Sequence, residues 1–234
     1  MKEGHRAPQR DNFFESIYSK IATSITPFFL NFTPNQVTVL SGSLGIIGSF
    51  LLIFDDYLAL FFAAIFIQLF SILDLVDGNI AREKNLQSKF GMWLDIFFDK
   101  LVDFLIILIV PLGIYISIGD PNVLIWGIIL MGSVFFNQII MIVNTTKNYF
   151  EFSRESSPQF MKTRANENFK LKFFTNFLHF FRRHLTYQHN TFLFLISFFA
   201  IIDQINFGIY FLTFHSFVSL LLSIVINFFR ISKE

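Results

Sequence analysis

Four aspartates form two pairs in the first half of the chain. Asp74 and Asp77 are three residues apart, and Asp95 and Asp99 are four apart. Each spacing places both carboxylates of a pair on one face of a helix, and two helices joined by a short connection are antiparallel neighbours. Four converging carboxylates would repel one another unless a proton or a cation relieved the repulsion. Oxygen ligands without nearby Cys or His favour a hard divalent ion, so the pattern predicts a centre for Mg²⁺, with Mn²⁺ or Ca²⁺ as alternatives.

Small residues and one arginine accompany the aspartates. Gly78, Ala81 and Gly91 would let a flat or bulky ligand approach the helix backbones closely. Arg82 offers a guanidinium fork that suits phosphate. A divalent cation, an arginine and room for a ligand together indicate a site for a diphosphate, in which a carboxylate can take a proton from an attacking hydroxyl. The residues therefore predict phosphoryl transfer.

The composition shows what kind of protein must position these residues. Of the 234 residues, 53% are hydrophobic, 36 are phenylalanine and 15% are charged, whereas about a quarter of the residues in soluble domains are charged. The chain is therefore predicted to be an integral membrane protein. The absence of cysteine excludes disulfides and thiolate metal sites. The first thirty residues lack the pattern of a signal peptide, so we expect the N-terminus to be retained, and we expect no nucleic-acid partner.

Six long apolar runs predict transmembrane helices, because about 20 mostly apolar residues cross the hydrocarbon core as a helix. The third helix must include part of Trp93 to Asp103 to be long enough, so its first turns carry the second aspartate pair, and Pro111 can kink it. The runs are Val37 to Phe54, Tyr57 to Leu73, Phe104 to Gly119, Pro121 to Thr146, Thr191 to Ile202 and Gln204 to Phe229. The predicted fold is an all-α integral membrane protein with six transmembrane helices.

The distribution of positive charge predicts the orientation, because cytoplasmic loops are enriched in Lys and Arg. With the N-terminus inside, all 18 basic residues fall on one side or just within a helix end there. The other side carries only acidic residues, namely Asp55, Asp56, Asp120 and Asp203. We therefore expect the four aspartates of the metal centre at the cytoplasmic face.

Two further segments have the spacing of amphipathic helices and are interpreted as membrane-surface helices. The predicted organisation is a cytoplasmic N-terminus with an interfacial helix at 1–32, a six-span domain at 33–229 that includes a long cytoplasmic loop at 146–189, and a cytoplasmic tail at 230–234. The two apolar stripes are Phe14, Ile17, Ile21 and Ile25 in the N-terminal segment, and Phe173, Phe177 and Phe181 in the loop.

The aspartate-rich stretch resembles a known family. Its fixed residues have the identities and spacing of the signature of the CDP-alcohol phosphotransferases, also called CDP-alcohol phosphatidyltransferases. The segment Thr33 to Thr38, TPNQVT, is similar to the family's usual start of the first span, and six spans with both termini cytoplasmic is the family's architecture. The matching residues are Asp74, Asp77, Gly78, Ala81, Arg82, Gly91, Asp95 and Asp99.

The resemblance implies a reaction and a role for each signature residue. The hydroxyl of an acceptor alcohol would attack a CDP-linked donor, forming a phosphodiester and releasing CMP. The four aspartates would hold one or two divalent cations that bridge the donor diphosphate, and Asp99 would be the general base. The nucleotide would contact Asp74 and Asp77 and be enclosed by Gly78, Ala81, Arg82 and Gly91. Members of the family are commonly homodimers.

The substrates are less well determined by the residues. We expect a phosphatidyl group to pass from CDP-diacylglycerol to a small polar alcohol. The alternative is the transfer of phosphocholine or phosphoethanolamine from a soluble CDP-alcohol to a lipid acceptor. Lys100 is a candidate acceptor contact or a side chain that extends to the interface. Asp103 is a candidate for the acceptor pocket or a hydrogen bond to a neighbouring helix.

Two other classes of protein would also explain parts of the pattern. A cation channel or transporter places carboxylates in a helical bundle, but deep in the bilayer or around a symmetric pore. A lipid-binding protein could retain the fold without catalysis, although it should have lost signature residues. The histidines His179, His184 and His189 are predicted to lie at the surface or the membrane interface.

Overall fold

The computed structural model describes residues 13–155 and 189–231. Within these residues the regular structure is helical, and a short 3-10 helix, Thr26–Phe29, follows α1. The predicted amphipathic helix around Phe177, with His179 and His184, lies outside the described residues. The α-helices are α1 (Phe13–Ile25), α2 (Pro34–Leu51), α3 (Tyr57–Glu83), α4 (Lys89–Ile118), α5 (Asn122–Glu155), α6 (His189–Ile201) and α7 (Ile205–Ile231).

The described residues divide into two compact units. The first comprises 13–128 and 189–212, and it contains all four aspartates of the signature. The second comprises 129–155 and 213–231. In the second unit, the buried Asn137 donates to the backbone oxygens of Ser133 and Ser216 and accepts from the hydroxyls of Ser219 and Ser223. This network satisfies a polar side chain among apolar helices.

Four helices among the described residues are long and apolar enough to cross a membrane. They are Tyr57–Glu83, Lys89–Ile118, Asn122–Val143 and Ile205–Phe228, with mean hydropathies of 2.0 to 2.5. The helix α6 is apolar but has only 13 described residues. In α2 the polar first turn and several serines lower the hydropathy of its 18 residues. The prediction of an integral membrane protein is therefore confirmed, while the count of six spans remains a prediction.

Helices α3 and α4 extend well beyond the apolar runs that predicted them. Helix α3 continues ten residues past Leu73 to Glu83, and α4 begins at Lys89, a few residues before the predicted start within Trp93 to Asp103. Backbone hydrogen bonding continues through the polar residues because their side chains project sideways from the helix. The hydroxyl of Ser88 accepts from the backbone N–H of Gly91 and so caps α4. The aspartates consequently lie inside long, rigid helices.

Glycines of α2 allow this helix to pack closely against α3 and α4. A Cβ atom at Gly42 would lie 2.2 Å from the ring of Phe98, and one at Gly45 would lie 2.7 Å from Val102. At Gly48 it would come within 3.1 Å of the backbone oxygen of Ala63. Small residues at this helical spacing therefore serve close helix packing in α2.

Helix α1 packs on α3 through a face that the sequence did not single out. Tyr18 and Ala22 are buried, whereas Ile17 and Ile21 of the predicted stripe are about 40% exposed. The hydroxyl of Tyr18 donates to the side-chain oxygen of Gln68 on α3. Burial raises the pKa of the Tyr18 phenol to about 12, so it remains a proton donor at neutral pH. The exposed isoleucines remain available to a membrane surface.

Candidate active site

Three of the four signature aspartates converge between α3 and α4. One carboxylate oxygen from each of Asp74, Asp77 and Asp95 lies within 4.8 Å of the other two. Asp74 and Asp77 lie near the C-terminal end of α3, and Asp95 lies in the second turn of α4. The two helix faces were predicted to converge from the spacing within each helix and the short connection between the helices. The short distances between the carboxylate oxygens confirm this convergence for Asp74, Asp77 and Asp95.

The buried member of this trio is oriented by a hydroxyl from α2. Asp77 is only 6% exposed, and its Oδ2 accepts a hydrogen bond from the hydroxyl of Thr38. Thr38 is itself buried one turn after Pro34, whose backbone oxygen lies 3.1 Å from the same hydroxyl. Helix α2 therefore helps to fix the rotamer of Asp77.

The trio has the chemistry and the dimensions of a divalent cation site. Its ligand atoms are all carboxylate oxygens, which hard cations such as Mg²⁺ and Ca²⁺ prefer. Two oxygens on opposite sides of one such ion are about 4 to 5 Å apart, since each metal–oxygen distance is about 2.0 to 2.6 Å. The separations between the three residues match this requirement. Asp74, Asp77 and Asp95 would therefore hold the ion.

A cavity of about 420 Å³ lies beside the trio. It is bounded by the start of α2, the end of α3, the connection after α3 and the start of α4. Among its lining residues are Asp77, Gly78, Ala81, Arg82 and Gly91, five of the six residues for which a nucleotide contact was predicted, whereas Asp74 is not among them. The described residues that line it are Pro34, Asn35, Thr38, Asp77, Gly78, Ala81, Arg82, Leu86, Gln87, Ser88, Lys89, Gly91, Met92 and Asp95.

Arg82 is linked by hydrogen bonds, through Asn79, to the short 3-10 helix that follows α1. Its Nη2 donates to the side-chain oxygen of Asn79 at 2.8 Å, and the Asn79 amide donates to the hydroxyl of Thr26 at 3.1 Å. Thr26 is buried and donates to the backbone oxygen of Ala22 at 2.7 Å. The chain of contacts orients an exposed guanidinium group whose other donors remain able to bind phosphate.

The two glycines of the signature differ in their surroundings. A Cβ atom at Gly78 would make only ordinary contact, at 3.4 Å, with the end of the Arg82 side chain. At Gly91 it would lie 3.0 Å from Oδ1 of Asn35 and 3.1 Å from Oγ of Ser88. Gly91 therefore stands where α4 passes close to the first turn of α2, and a side chain there would enter the cavity.

Gly91→Leu is expected to weaken the binding of CMP. Overpacking of this kind costs about 1 to 3 kcal/mol, so the affinity should fall about tenfold or more. Isothermal titration calorimetry of the purified variant with CMP and Mg²⁺ measures the change. Gly132→Leu on α5 is the matched control, because a Cβ there has open space within 4 Å. Equal affinities of Gly91→Leu and the wild type would show that Gly91 serves helix packing alone.

The fourth aspartate has a different neighbour. Asp99 is not part of the trio, and its Oδ1 lies 3.3 Å from Nε2 of His189 on α6. Nδ1 of the same imidazole lies 2.9 Å from Oδ1 of Asp103, which is 2% exposed. The prediction of a surface position for His189 is wrong, because packing of α6 brings a residue far away in sequence against the aspartate face of α4. Whether Asp99 also binds metal remains a prediction.

The two candidate acceptor contacts lie next to this histidine. Asp103 makes the interhelical hydrogen bond that was one of its two predicted roles. Nζ of Lys100 lies 3.6 Å from Oδ2 of Asp103, and the Lys100 side chain is 43% exposed. Lys100 therefore combines an ion pair within α4 with access to solvent, and its contact with an acceptor stays a prediction.

Sequence reasoning missed several polar residues of the site, among them Asn35, Thr38 and His189. Asn35 and Thr38 belong to the TPNQVT segment, which drew attention only as the start of a helix. Thr33 and Gln36 of that segment form the capping box that starts α2. The available signal for Asn35 was its position within this capping box, in the first turn of α2, whereas no residue near His189 in the sequence gave a signal.

The match to a protein-family model assigns the chain to a family. The model described as CDP-alcohol phosphatidyltransferase matches residues 31–218, which include the trio, the cavity and His189. The chain belongs to the CDP-alcohol phosphatidyltransferase family. The predicted resemblance is thereby confirmed, and membership of a family of transferases replaces the alternative of a channel or transporter.

Curated relatives match over parts of the chain. A bifunctional IPC transferase and DIPP synthase of Aquifex aeolicus (strain VF5) is 41% identical over 86 residues, which are 36% of this chain and 19% of that protein. A phosphatidylinositol phosphate synthase of Corynebacterium glutamicum is 38% identical over 74 residues, or 32% and 33% of the two chains. One of Streptomyces avermitilis is 33% identical over 116 residues, or 49% and 46%. The matches cover less than half of each relative.

A solved structure shares the fold over most of the chain. It is the crystal structure of the phosphatidylinositol phosphate synthase of Mycobacterium tuberculosis with CDP-DAG bound. The similarity covers 89% of this chain and 92% of that chain, with a TM-score of 0.57 and 18% sequence identity. At this identity the comparison shows that the two chains have a common fold.

Proposed function

We propose that this protein transfers a phosphatidyl group from CDP-diacylglycerol to the hydroxyl of a small polar alcohol and releases CMP. The observation that carries the proposal is the position of the aspartate trio directly beside the cavity lined by Gly78, Ala81, Arg82 and Gly91. A diphosphate placed against the trio would leave its nucleoside in the cavity. The CDP-DAG complex of the M. tuberculosis protein supports this choice of donor.

The residues around the cavity suit each part of the donor. Arg82, held by Asn79, presents guanidinium N–H groups to phosphate oxygens. The backbone near Gly91 is open to a flat ring, because a glycine leaves the approach between α2 and α4 free. A divalent ion held by the aspartates would neutralise phosphate oxygens and stabilise the charge that develops during displacement. The lipid tails of the donor can remain in the bilayer while its diphosphate occupies the site.

The reaction requires one proton acceptor close to the diphosphate. The acceptor oxygen forms a bond to the phosphorus that carries the diacylglycerol, and the bond from that phosphorus to the bridging oxygen of CMP breaks. Asp99 takes the proton of the acceptor hydroxyl and later releases it to water or to the departing CMP. Asp99 is suited to this step because it lies one helical turn from Asp95 but outside the trio.

We further propose an inositol phosphate as the acceptor. Two of the relatives that match are named phosphatidylinositol phosphate synthases. A phosphorylated alcohol requires a cation in its pocket, and Lys100 stands one residue after the proposed base with 43% of its side chain exposed. Lys100 is therefore the proposed contact for the acceptor phosphate among the described residues.

The proposed arrangement in the membrane has six spans with the site at the cytoplasmic face. Besides the four long helices, the 18 residues of α2 and the helix α6 would each cross most of the bilayer. The basic residues of the N-terminus, the 146–189 loop and the C-terminus then share one side. A homodimer is also proposed, on the basis of family membership.

The proposal predicts CMP release that depends on both the donor and a specific alcohol. Purified protein in nanodiscs is incubated with CDP-diacylglycerol, Mg²⁺ and one alcohol at a time: inositol phosphate, inositol, serine or glycerol 3-phosphate. Chromatography with mass spectrometry quantifies CMP and identifies the lipid product. We expect CMP and a phosphatidylinositol phosphate with the first alcohol only.

Two controls separate the outcomes. Reactions without an alcohol measure hydrolysis of the donor, and a parallel series contains CDP-choline or CDP-ethanolamine with diacylglycerol. Product with serine or glycerol 3-phosphate would overturn the acceptor but retain the donor. Product only in the CDP-choline or CDP-ethanolamine series would overturn the direction of transfer. Without CMP in any reaction, the proposed activity would be wrong.

A further inference from the structure

The imidazole of His189 lies between two carboxylates of α4. Its Nε2 lies 3.3 Å from Oδ1 of Asp99, and its Nδ1 lies 2.9 Å from Oδ1 of Asp103. Asp99 and Asp103 are one helical turn apart, so a single ring from another helix can contact both. Each ring nitrogen therefore faces one carboxylate, and the ring joins the start of the described α6 to the middle of α4.

The ring is held firmly on the side away from Asp99. Asp103 is 2% exposed, and the His189 ring packs perpendicular to the Phe70 ring, with 5.9 Å between centroids and an interplanar angle of 89°. Lys100 approaches the second oxygen of Asp103 at 3.6 Å. These contacts restrict both the translation and the rotation of the imidazole. The position of Nε2 is consequently set by groups other than Asp99.

The two oxygens of Asp99 differ in access. Oδ1 is shielded from solvent, as is the Nε2 atom that it faces. The side chain as a whole nevertheless keeps 24% of its surface exposed. That exposed surface must therefore belong to the atoms other than Oδ1. A reacting hydroxyl can reach this carboxylate only from the side of Oδ2.

We propose that His189 is a positioning residue for the transfer reaction, which holds the Asp99 carboxylate so that Oδ2 faces the acceptor hydroxyl. The inference rests on the proposed function, because it takes Asp99 as the base. In the transfer step the proton passes from the acceptor oxygen to Oδ2 of Asp99. His189 itself neither gains nor loses a proton and touches no substrate. Asp103 supports it by fixing the ring.

Two substitutions at this position separate the contact with Asp99 from the contact with Asp103. The amide nitrogen of glutamine can occupy the place of Nε2, whereas the amide of asparagine reaches only the place of Nδ1. His189→Gln should therefore keep the contact with Asp99, and His189→Asn only the contact with Asp103. We expect kcat of His189→Asn to fall on the order of 10- to 100-fold, the usual effect of losing a residue that orients a reacting group. We expect His189→Gln to retain most of kcat.

The same variants are examined without substrate. Binding of Mn²⁺, followed by electron paramagnetic resonance, should match the wild type in both variants, because the aspartate trio does not include the residue that His189 contacts. KM for CDP-diacylglycerol should also remain unchanged. The melting temperature, from intrinsic fluorescence, shows whether each variant is folded. This combination of a lower kcat with intact metal and donor binding is the signature of a positioning role.

Three results would overturn the inference. The first is a wild-type kcat in His189→Asn. The second is a larger loss in His189→Gln than in His189→Asn, which would indicate that the tether to Asp103 is what matters. The third is weaker Mn²⁺ binding together with a lower melting temperature in both variants, which would indicate a structural role. The wild type tests the proposed function separately: its failure to release CMP would refute that function, whereas these variants are compared with an active wild type.

Discussion

Asp99→Asn is expected to abolish the release of CMP while donor binding persists. The amide has the shape of the carboxylate but cannot take the proton of the acceptor hydroxyl, and loss of a general base costs about 10²- to 10⁴-fold in rate. Asp74, Asp77 and Asp95 remain to hold the cation beside the cavity. Single-turnover formation of CMP measures the rate, and calorimetric titration with CMP and Mg²⁺ measures binding.

Asp203→Asn is the matched control for this substitution. Asp203 is exposed in the turn before α7 and has a φ angle of 58°, a backbone conformation that asparagine adopts readily. The control should retain wild-type turnover. A rate of Asp99→Asn near that of the wild type would show that Asp99 is not the general base. A loss of CMP binding in Asp99→Asn would show instead that Asp99 is required to form the donor site.

Removal of divalent metal by EDTA is expected to eliminate turnover. Without a cation, the carboxylates of Asp74, Asp77 and Asp95 repel one another and the incoming diphosphate. Charge stabilisation by a bound metal contributes several kcal/mol to such reactions, so we expect a loss of roughly 10³-fold or more. Addition of Mg²⁺ or Mn²⁺ in excess of the chelator should restore CMP release, measured by chromatography.

Two comparisons support the interpretation of that experiment. EDTA saturated with Mg²⁺ beforehand should leave activity intact, which excludes an effect of the chelator on the membrane or the protein. Asp95→Asn should raise the Mg²⁺ concentration needed for half-maximal activity by about tenfold or more, because outer and inner ligands of metal sites each contribute on this scale. Full turnover in a preparation shown to be metal-free would refute the proposed metal centre.

Much of the donor side of the site was predictable from local spacing. Residues three or four apart share a helix face, and a short connection brings two such faces together, so the convergence of Asp74, Asp77 and Asp95 required no knowledge of distant contacts. The glycines of α2 were predictable for the same reason, because small residues at helical spacing mark close packing. The membrane-spanning character followed from the composition. The predicted second run ended at Leu73, however, because charged residues follow, whereas α3 continues to Glu83.

The remainder depended on tertiary packing. Nothing near His189 in sequence indicates that its ring lies against Asp99 and Asp103, because the contact links residues 86 or more positions apart. Thr38 could be recognised as part of a helix start, but not as the donor to Asp77. The buried face of α1 was also missed in part, since Ile17 and Ile21 of the predicted stripe are exposed while the less conspicuous Tyr18 and Ala22 are buried.

Among the residues that the structure describes, those that line the cavity come from one continuous stretch of the chain, from Pro34 to Asp95. The group that faces the fourth aspartate, His189, comes from a separate helix far downstream. The proposed donor site is therefore encoded by one contiguous segment, whereas the proposed base Asp99 and its neighbour His189 lie outside that segment. Grafting of residues 34–95 between relatives is therefore expected to transfer donor recognition. Acceptor preference is expected to depend on residues outside this segment and not to be transferred with it.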